Sequence, residues 1–214
     1  MKRKLYLFSF ALLLLTGCGT TTYLKDSSNI SKAKKSYDKI LVVAKAKNKA
    51  IRIKFENQVV KDLAAQGVVA ESSKDIIKIE SFDEKVPESK IEELRIKLIQ
   101  DGFSGVIVTN LINTSEYTDV LPGGTSTGYY PLRYGSFGSY YGSYQVTYWE
   151  PDDYKDGVEY SLESCLYDIR VDQKDNLQWV GRFKVRDPES LISTIEKYSY
   201  ELTAALLDQS IAPK

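Results

Sequence analysis

The sequence predicts an α/β (α+β) domain: a mixed sheet in which crossover β-α-β units are followed by an antiparallel hairpin and a C-terminal helix. Two patterns predict it. In the first half, short apolar runs alternate with segments of helical period, the order that favours parallel strands covered by helices. In the second half, apolar and polar residues alternate on either side of a polar turn, as in a hairpin with one covered face.

The elements follow in order. Ile40-Leu41-Val42-Val43-Ala44 is a continuous apolar run of strand length, expected where both faces are covered. A helix is expected over about Lys49–Gln66, with Ile51, Phe55, Val59 and Leu63 at four-residue spacing and Val60 widening the stripe. Gly67 ends it where a left-handed residue is wanted. Val68-Val69-Ala70 reads as a short strand, and Ile76–Ile79 as a short strand or a turn of helix. A second helix is expected over about Glu88–Asp101, with Ile91, Leu94 and Leu98 on one face. Glu88, Glu92 and Glu93 lie near its positive end, and Gly102 stops it. Gly105–Ile112 is the most strand-like run of all.

The second half changes period. Over Val158–Val171, Val158, Tyr160, Leu162 and Leu166 fall on one side and Cys165, Tyr167, Ile169 and Val171 on the other. Asp172–Asn176 is a polar turn, and Leu177–Val185 returns with Trp179 and Phe183 on one face. Asp187-Pro188-Glu189 reads as an N-cap with proline at the first helical position. The last helix then carries Ile192, Ile195, Tyr198, Leu202, Ala205 and Leu206 at three- to four-residue intervals.

Between these halves lies an insert at about 121–149, rich in tyrosine and glycine. Tyr129, Tyr130, Tyr134, Tyr140, Tyr141, Tyr144 and Trp149 form a candidate binding surface, interleaved with Gly123, Gly124, Gly128, Gly135, Gly138 and Gly142. Tyrosine gives broad contact area at small entropic cost, and glycine lets the backbone conform. The other reading is a long hairpin or loop with no dedicated ligand. Alternation of Tyr144, Val146 and Tyr148 with Gln145, Thr147 and Trp149 predicts that its end joins the sheet as a strand.

Composition excludes several chemistries. The chain has no histidine, so Ser-His-Asp and Cys-His mechanisms are impossible and the commonest metal ligand is missing. No catalytic residue, metal or cofactor is expected. The Asp152, Asp153, Asp156, Gly157 group lacks the alternating oxygens and terminal glutamate of a calcium loop and reads as a polar turn. Gly123–Gly128 has glycines with Thr and Ser, but neither the lysine nor the helix of a phosphate loop. Cys165, in an alternating strand, reads as a packed small residue.

The N-terminus gives an address. Met1-Lys2-Arg3-Lys4 precedes an apolar stretch from Leu5 to Leu15, then Thr16, Gly17 and Cys18. Eleven helical residues span only about 16 Å against the ~30 Å hydrocarbon core, so the stretch is too short to cross a bilayer. Leu15-Thr16-Gly17-Cys18 resembles the lipobox of bacterial lipoproteins. The resemblance implies cleavage before Cys18 and a diacylglycerol thioether on it, so the chain divides into a signal peptide (1–17), a lipidated, flexible tether (18–36) and one domain (37–214). Removing Lys2, Arg3 and Lys4 from 29 basic residues leaves 26 against 29 acidic, which gives no electrostatic ground for nucleic acid. Gly19 is not the aspartate that retains enteric lipoproteins in the inner membrane, and residues 19–23 lack the acidic pair of surface-exported ones. The implied location is the outer membrane, lipid-anchored and facing the periplasm.

The first strand, the helix ended by Gly67, the Gly105-x-Ile-Val strand, Leu166-Tyr167-Asp168 and Trp179-Val180-Gly181 carry a second resemblance. Together with the lipobox they resemble envelope lipoproteins with an anticodon-binding-like α/β domain, among them the curli-secretion lipoprotein family and lipoprotein activators of peptidoglycan synthases. The function expected is a non-catalytic, membrane-anchored scaffold or regulator of envelope assembly, with an envelope protein as partner. Small-molecule or glycan binding in an aromatic cleft is the alternative, and self-association through the tyrosines is a further expectation.

Overall fold

The computed structural model describes residues 21–46, 48–77, 87–132, 142–171, 175–188 and 190–213. They divide into two compact units: residues up to Thr114 together with Glu159–Lys214, and Ser115–Val158.

The first unit is built on a six-stranded mixed sheet. Its strands are β1 (Thr21–Asn29), β2 (Ile40–Lys45), β3 (Ala70–Ser72), β4 (Gly105–Leu121), β7 (Asp153–Asp168) and β8 (Leu177–Arg186). They lie in the order β1-β8-β7-β4-β2-β3. β4 and β7 each continue into the second unit. β3 and β4 flank β2 in parallel register, with Ile40 opposite both Ala70 and Gly105. β7 and β8 form the expected antiparallel hairpin.

Three helices cover this sheet: α1 (Lys49–Ala65), α2 (Glu88–Gln100) and α3 (Leu191–Gln209). β2 shows why its sequence is apolar throughout. Ile40, Val42 and Ala44 pack into one core with Phe55, Val59 and Leu63 of α1 and Tyr198, Leu202 and Leu206 of α3. Leu41 and Val43 face a second, smaller core with Leu98 of α2, Phe103 and Ile169. Among the described residues no helix is long and apolar enough to cross a membrane.

Local chemistry sets the helix ends. Asn48 caps α1, its side chain accepting from Ala50 N at 2.9 Å and Ile51 N at 3.2 Å. Gly67 and Gly102 sit at φ 76° and 85°, as their placement after a helix requires. Both ends close in the same way: Val68 N donates to Leu63 O at 3.0 Å, and Phe103 N to Leu98 O at 2.9 Å. Each pair also shares a core, the apolar contact that accompanies this stop.

Trp179 explains the Trp-Val-Gly sequence. Its ring lies over Gly181, where a Cβ would stand 2.1 Å from Cη2, and its indole N–H donates to Gln209 Oε1 at 2.8 Å. The sequence shows the pair but not that one residue makes room for the other.

The structure corrects four expectations. Residues 18–36 were expected as a flexible tether, yet Thr21–Asn29 is β1, antiparallel to β8 with an irregularity between Leu24 and Asp26. The strand's mixed, mostly polar sequence carries no periodic apolar signal, and Leu24 is its residue packed against the core. The short strand expected at Val68–Ala70 is displaced to Ala70–Ser72, because Val68 completes the stop of α1. The last helix does not begin at Asp187-Pro188: Asp187 takes φ 43°, and Ser190 precedes the first turn. The end of the insert is a strand, β6 (Gly142–Trp149), but it pairs with β5 (Thr125–Leu132) in a separate two-stranded sheet.

That sheet belongs to the second unit. There β5 and β6 pair antiparallel from Thr125↔Trp149 to Leu132↔Gly142. Glu150 N donates to Gly124 O at 2.8 Å, and Gly123 N to Asp152 Oδ1 at 2.7 Å. A Cβ on Gly123 would meet Glu150 O at 1.9 Å, so this crossing of two backbones needs glycine.

Candidate functional site

Two regions of the structure could carry function, one in each unit. In the first unit, β2 ends at Lys45 and the chain turns into α1, while β4 runs alongside. The carboxyl ends of parallel strands are where open α/β sheets place their ligands. Here they border a cleft of about 180 Å³. Phe55 of α1, Leu162 of β7, Val185 of β8 and Leu191 and Ile195 of α3 form apolar walls, and Thr109 and Tyr198 lie beneath them.

The polar groups beneath are satisfied. Thr109 Oγ1 and Ser164 Oγ share a hydrogen bond at 2.6 Å, and Ser164 Oγ and Tyr198 Oη another at 2.9 Å, all buried. The Tyr198 ring packs at 5.4 Å from Phe55 and 4.5 Å from Phe183, centroid to centroid. Burial pushes its phenol well above the ordinary tyrosine range, so at neutral pH it is an uncharged hydrogen-bonding group. The cleft can therefore hold an apolar guest against these walls, while Lys45 and the buried Arg52 also border it.

α1 also carries a buried carboxylate. Glu56 is fully buried and accepts four hydrogen bonds: from Ala44 N at 2.9 Å, Ser73 Oγ at 2.8 Å, Ser72 Oγ at 2.7 Å and Ser73 N at 3.0 Å. It ties α1 to the end of β2 and to the turn after β3. With both its oxygens taken up by these four local donors, this arrangement is a brace and not a group aimed at a ligand. The available signal was Arg52 and Glu56, one turn apart on the face that also carries Val59 and Leu63.

Near the start of β2, Asp168 is a second buried carboxylate. Burial acts to raise its pKa, but hydrogen bonds from Arg170 at 3.0 and 3.1 Å, with Lys35 at 3.4 Å, bring it below the usual carboxylate range. This cluster joins the end of β7 to the segment before β2.

Cys165 is half-buried on β7. Burial pushes its thiol up, against a lowering hydrogen bond with Tyr167, whose own phenol burial pushes to about 12. A raised thiol is a poor nucleophile. Among the described residues no group of three or more Cys, Asp or Glu is placed to hold a metal ion. The acidic turn is used internally: Asp152 accepts from Gly123 N, Asp156 from Thr118 Oγ1 at 2.7 Å, and Asp153 from Tyr154 N at 3.0 Å.

The sequence-derived candidates fall into three groups. Leu15, Thr16, Gly17 and Cys18 lie outside the described residues, as do Tyr134, Tyr140 and Tyr141. Tyr129 and Tyr130 are on β5 and Tyr144 on β6, with Tyr130 directly opposite Tyr144 in the backbone register. Trp149 ends β6 and is 81% exposed. Sequence reasoning missed its exposed companions in the same unit, Val120, Leu121 and Tyr154. The aromatic cleft expected as the alternative had no location in the sequence; the cleft lined by Phe55 and Tyr198 lies in the first unit.

Among the described residues the fold is thus α+β, with a mixed six-stranded sheet, three helices and a second compact unit. No protein-family model matches the chain, and no curated protein matches it. Among solved structures, it is similar to a PelC dodecamer from Paraburkholderia phytofirmans at 10% identity and TM-score 0.42, covering 90% of this chain and 100% of that one. A point variant of the PelC dodecamer from the same organism gives 9% identity and TM-score 0.40, with 86% and 96% covered. A PDZ domain protein from Parabacteroides distasonis gives 8% identity and TM-score 0.35, with 96% of this chain and 40% of that one covered.

Proposed function

We propose that this protein is a lipid-anchored lipoprotein of the bacterial cell envelope that works without catalysis, as a scaffold or regulator, and meets its protein partner through the Ser115–Val158 unit. One observation carries the partner surface. Trp149 is 81% exposed, Tyr154 64%, Val120 52% and Leu121 49%, all within that unit. Val120 and Leu121 are successive in β4 and face opposite sides of it, so the reading rests first on Trp149 and Tyr154, the residue types that dominate binding energy at interfaces. The anchor rests on Lys2-Arg3-Lys4, the apolar run and Leu15-Thr16-Gly17-Cys18, and the outer-membrane address on Gly19.

Crosslinking in intact cells tests this, comparing the wild-type chain with one in which Thr125–Trp149 is replaced by a short glycine-serine link. Protein adducts that appear with the wild type and vanish with the variant support the reading, given equal membrane levels. Identical adducts from both chains contradict it. Small-molecule binding is favoured by a different observation, the apolar cleft beside Phe55 and Tyr198. It predicts a saturable apolar ligand that raises the thermal stability of the first unit.

A further inference from the structure

The cleft of the first unit lies beside the point where the chain enters the fold. Thr22 of β1 pairs with Val185, which lines the cleft, and Thr21 pairs with Arg186. Cys18 precedes Thr21 by three residues, a covalent span of at most about 11 Å. Where a flexible tether was expected, only Gly19 and Thr20 separate the lipidation position from the first strand.

We propose that this cleft receives one of the acyl chains carried by Cys18, an inference that rests on the lipid-anchor reading above. Four observations converge on it. The walls formed by Phe55, Leu162, Val185, Leu191 and Ile195 are aliphatic or aromatic, as an alkyl chain requires. The hydroxyls of Thr109 and Tyr198 are already engaged through Ser164, so neither calls for a polar ligand, although Lys45 and Arg52 also line the cleft. The volume of about 180 Å³ suits the end of a chain, since apolar cavities of about 150 Å³ admit a benzene-sized guest. Leu111 and Leu191 line the cleft while remaining each 47% exposed, apolar surface that a passing chain would cover.

The energetics allow it. Moving an alkyl chain from bilayer to cleft exchanges one apolar surrounding for another, and the gain comes from the wall contacts made and the water displaced. The mature lipoprotein that the lipobox implies carries three acyl chains on Cys18, so two stay in the bilayer while one is seated, and two hold stably. The consequence is an orientation: the end of the first unit carrying Arg186 and the N-terminus of α3 is held against the bilayer.

The test uses the full chain in cells fed a fatty acid with a photoreactive diazirine near its methyl end. After irradiation, peptides are mapped by mass spectrometry. The expected product joins the acyl group on the Cys18 peptide to residues 109–111, 162 or 191–198. Ala46→Phe, which fills the cleft from the loop after β2, is expected to lose those links while Cys18 keeps its lipid. An acylated Cys18 linked only to membrane lipids and other proteins overturns the proposal. Cleft adducts from phospholipid, or from a free fatty acid set against Arg52, also overturn it, because the chain is then not the protein's own. A Cys18 peptide of unmodified mass overturns the anchor reading itself, a failure told apart by that mass.

Discussion

Replacing Glu56 with glutamine isolates the brace between α1, β2 and the turn after β3. The side chain keeps its shape, but one oxygen becomes an NH2 donor. Glu56 Oε1 faces Ala44 N and Ser73 Oγ, and Oε2 faces Ser73 N and Ser72 Oγ. The serine hydroxyls can rotate and accept instead, whereas the two backbone N–H groups cannot. Whichever way the amide turns, its NH2 therefore meets a buried backbone donor. Stranding one such group costs about 1–3 kcal/mol, and the surviving bonds lose the strengthening that a carboxylate gives. We expect Glu56→Gln to destabilise the first unit by roughly 2–3 kcal/mol, a large part of the ~5–15 kcal/mol that holds a domain folded. Ser73→Ala, which removes one of the rotatable donors, is expected to cost less, about 1 kcal/mol. Urea unfolding followed by the fluorescence of buried Trp179 measures both. A Glu56→Gln midpoint within about 0.5 kcal/mol of wild type, or a larger loss for Ser73→Ala, would refute the reasoning.

Other predictions address separate parts of the molecule. Gly181→Ala drives a Cβ into the Trp179 ring, which must swing away and release Gln209. Overpacking and the lost hydrogen bond together cost about 2–4 kcal/mol, read as a lower urea midpoint and a red-shifted native emission. Gly123→Ala sets a Cβ against the Glu150 carbonyl and is expected to loosen the β5–β6 sheet alone, with faster hydrogen exchange at 125–132 and 142–149 and an unchanged midpoint for the first unit. The folded-state pKa of Asp168 is depressed. Its stabilisation is therefore complete above the unfolded value of about 3.9 and lost as pH falls through the lower folded value. Urea midpoints measured downward from pH 5 should fall in that window, and Asp168→Asn should be less stable at neutral pH with a shallower acid decline.

What was legible in the sequence depended on how local its cause is. Ile40–Ala44 announces a strand covered on both faces because every residue meets a core. Gly67 and Gly102 were readable as helix stops because a positive φ is a property of one residue. Elements whose cause lies elsewhere in the chain were not readable. β1 is largely polar and becomes a strand by pairing with β8, far along the chain, from Thr21↔Arg186 to Asn29↔Trp179. The strand character of Gly142–Trp149 shows in its alternation, but its partner β5 does not, since pairing is set by register and not by composition. Asp187-Pro188-Glu189 has the composition of a helix start, yet β8 runs to Arg186 and the chain must first reverse over the sheet. The cleft was invisible for the same reason. Its walls come from α1, β4, β7, β8 and α3, which only the finished fold assembles.

The most direct test of the partner surface places a photoreactive phenylalanine analogue at Trp149 in the full-length, membrane-located protein, with another at Tyr200 as a control. Both positions are aromatic and strongly exposed, at 81% and 72%, but they belong to different units. The account predicts a discrete protein adduct from position 149 that position 200 does not give, and that disappears when Tyr154, Val120 and Leu121 are changed to serine. Equal, diffuse labelling from both positions would contradict it.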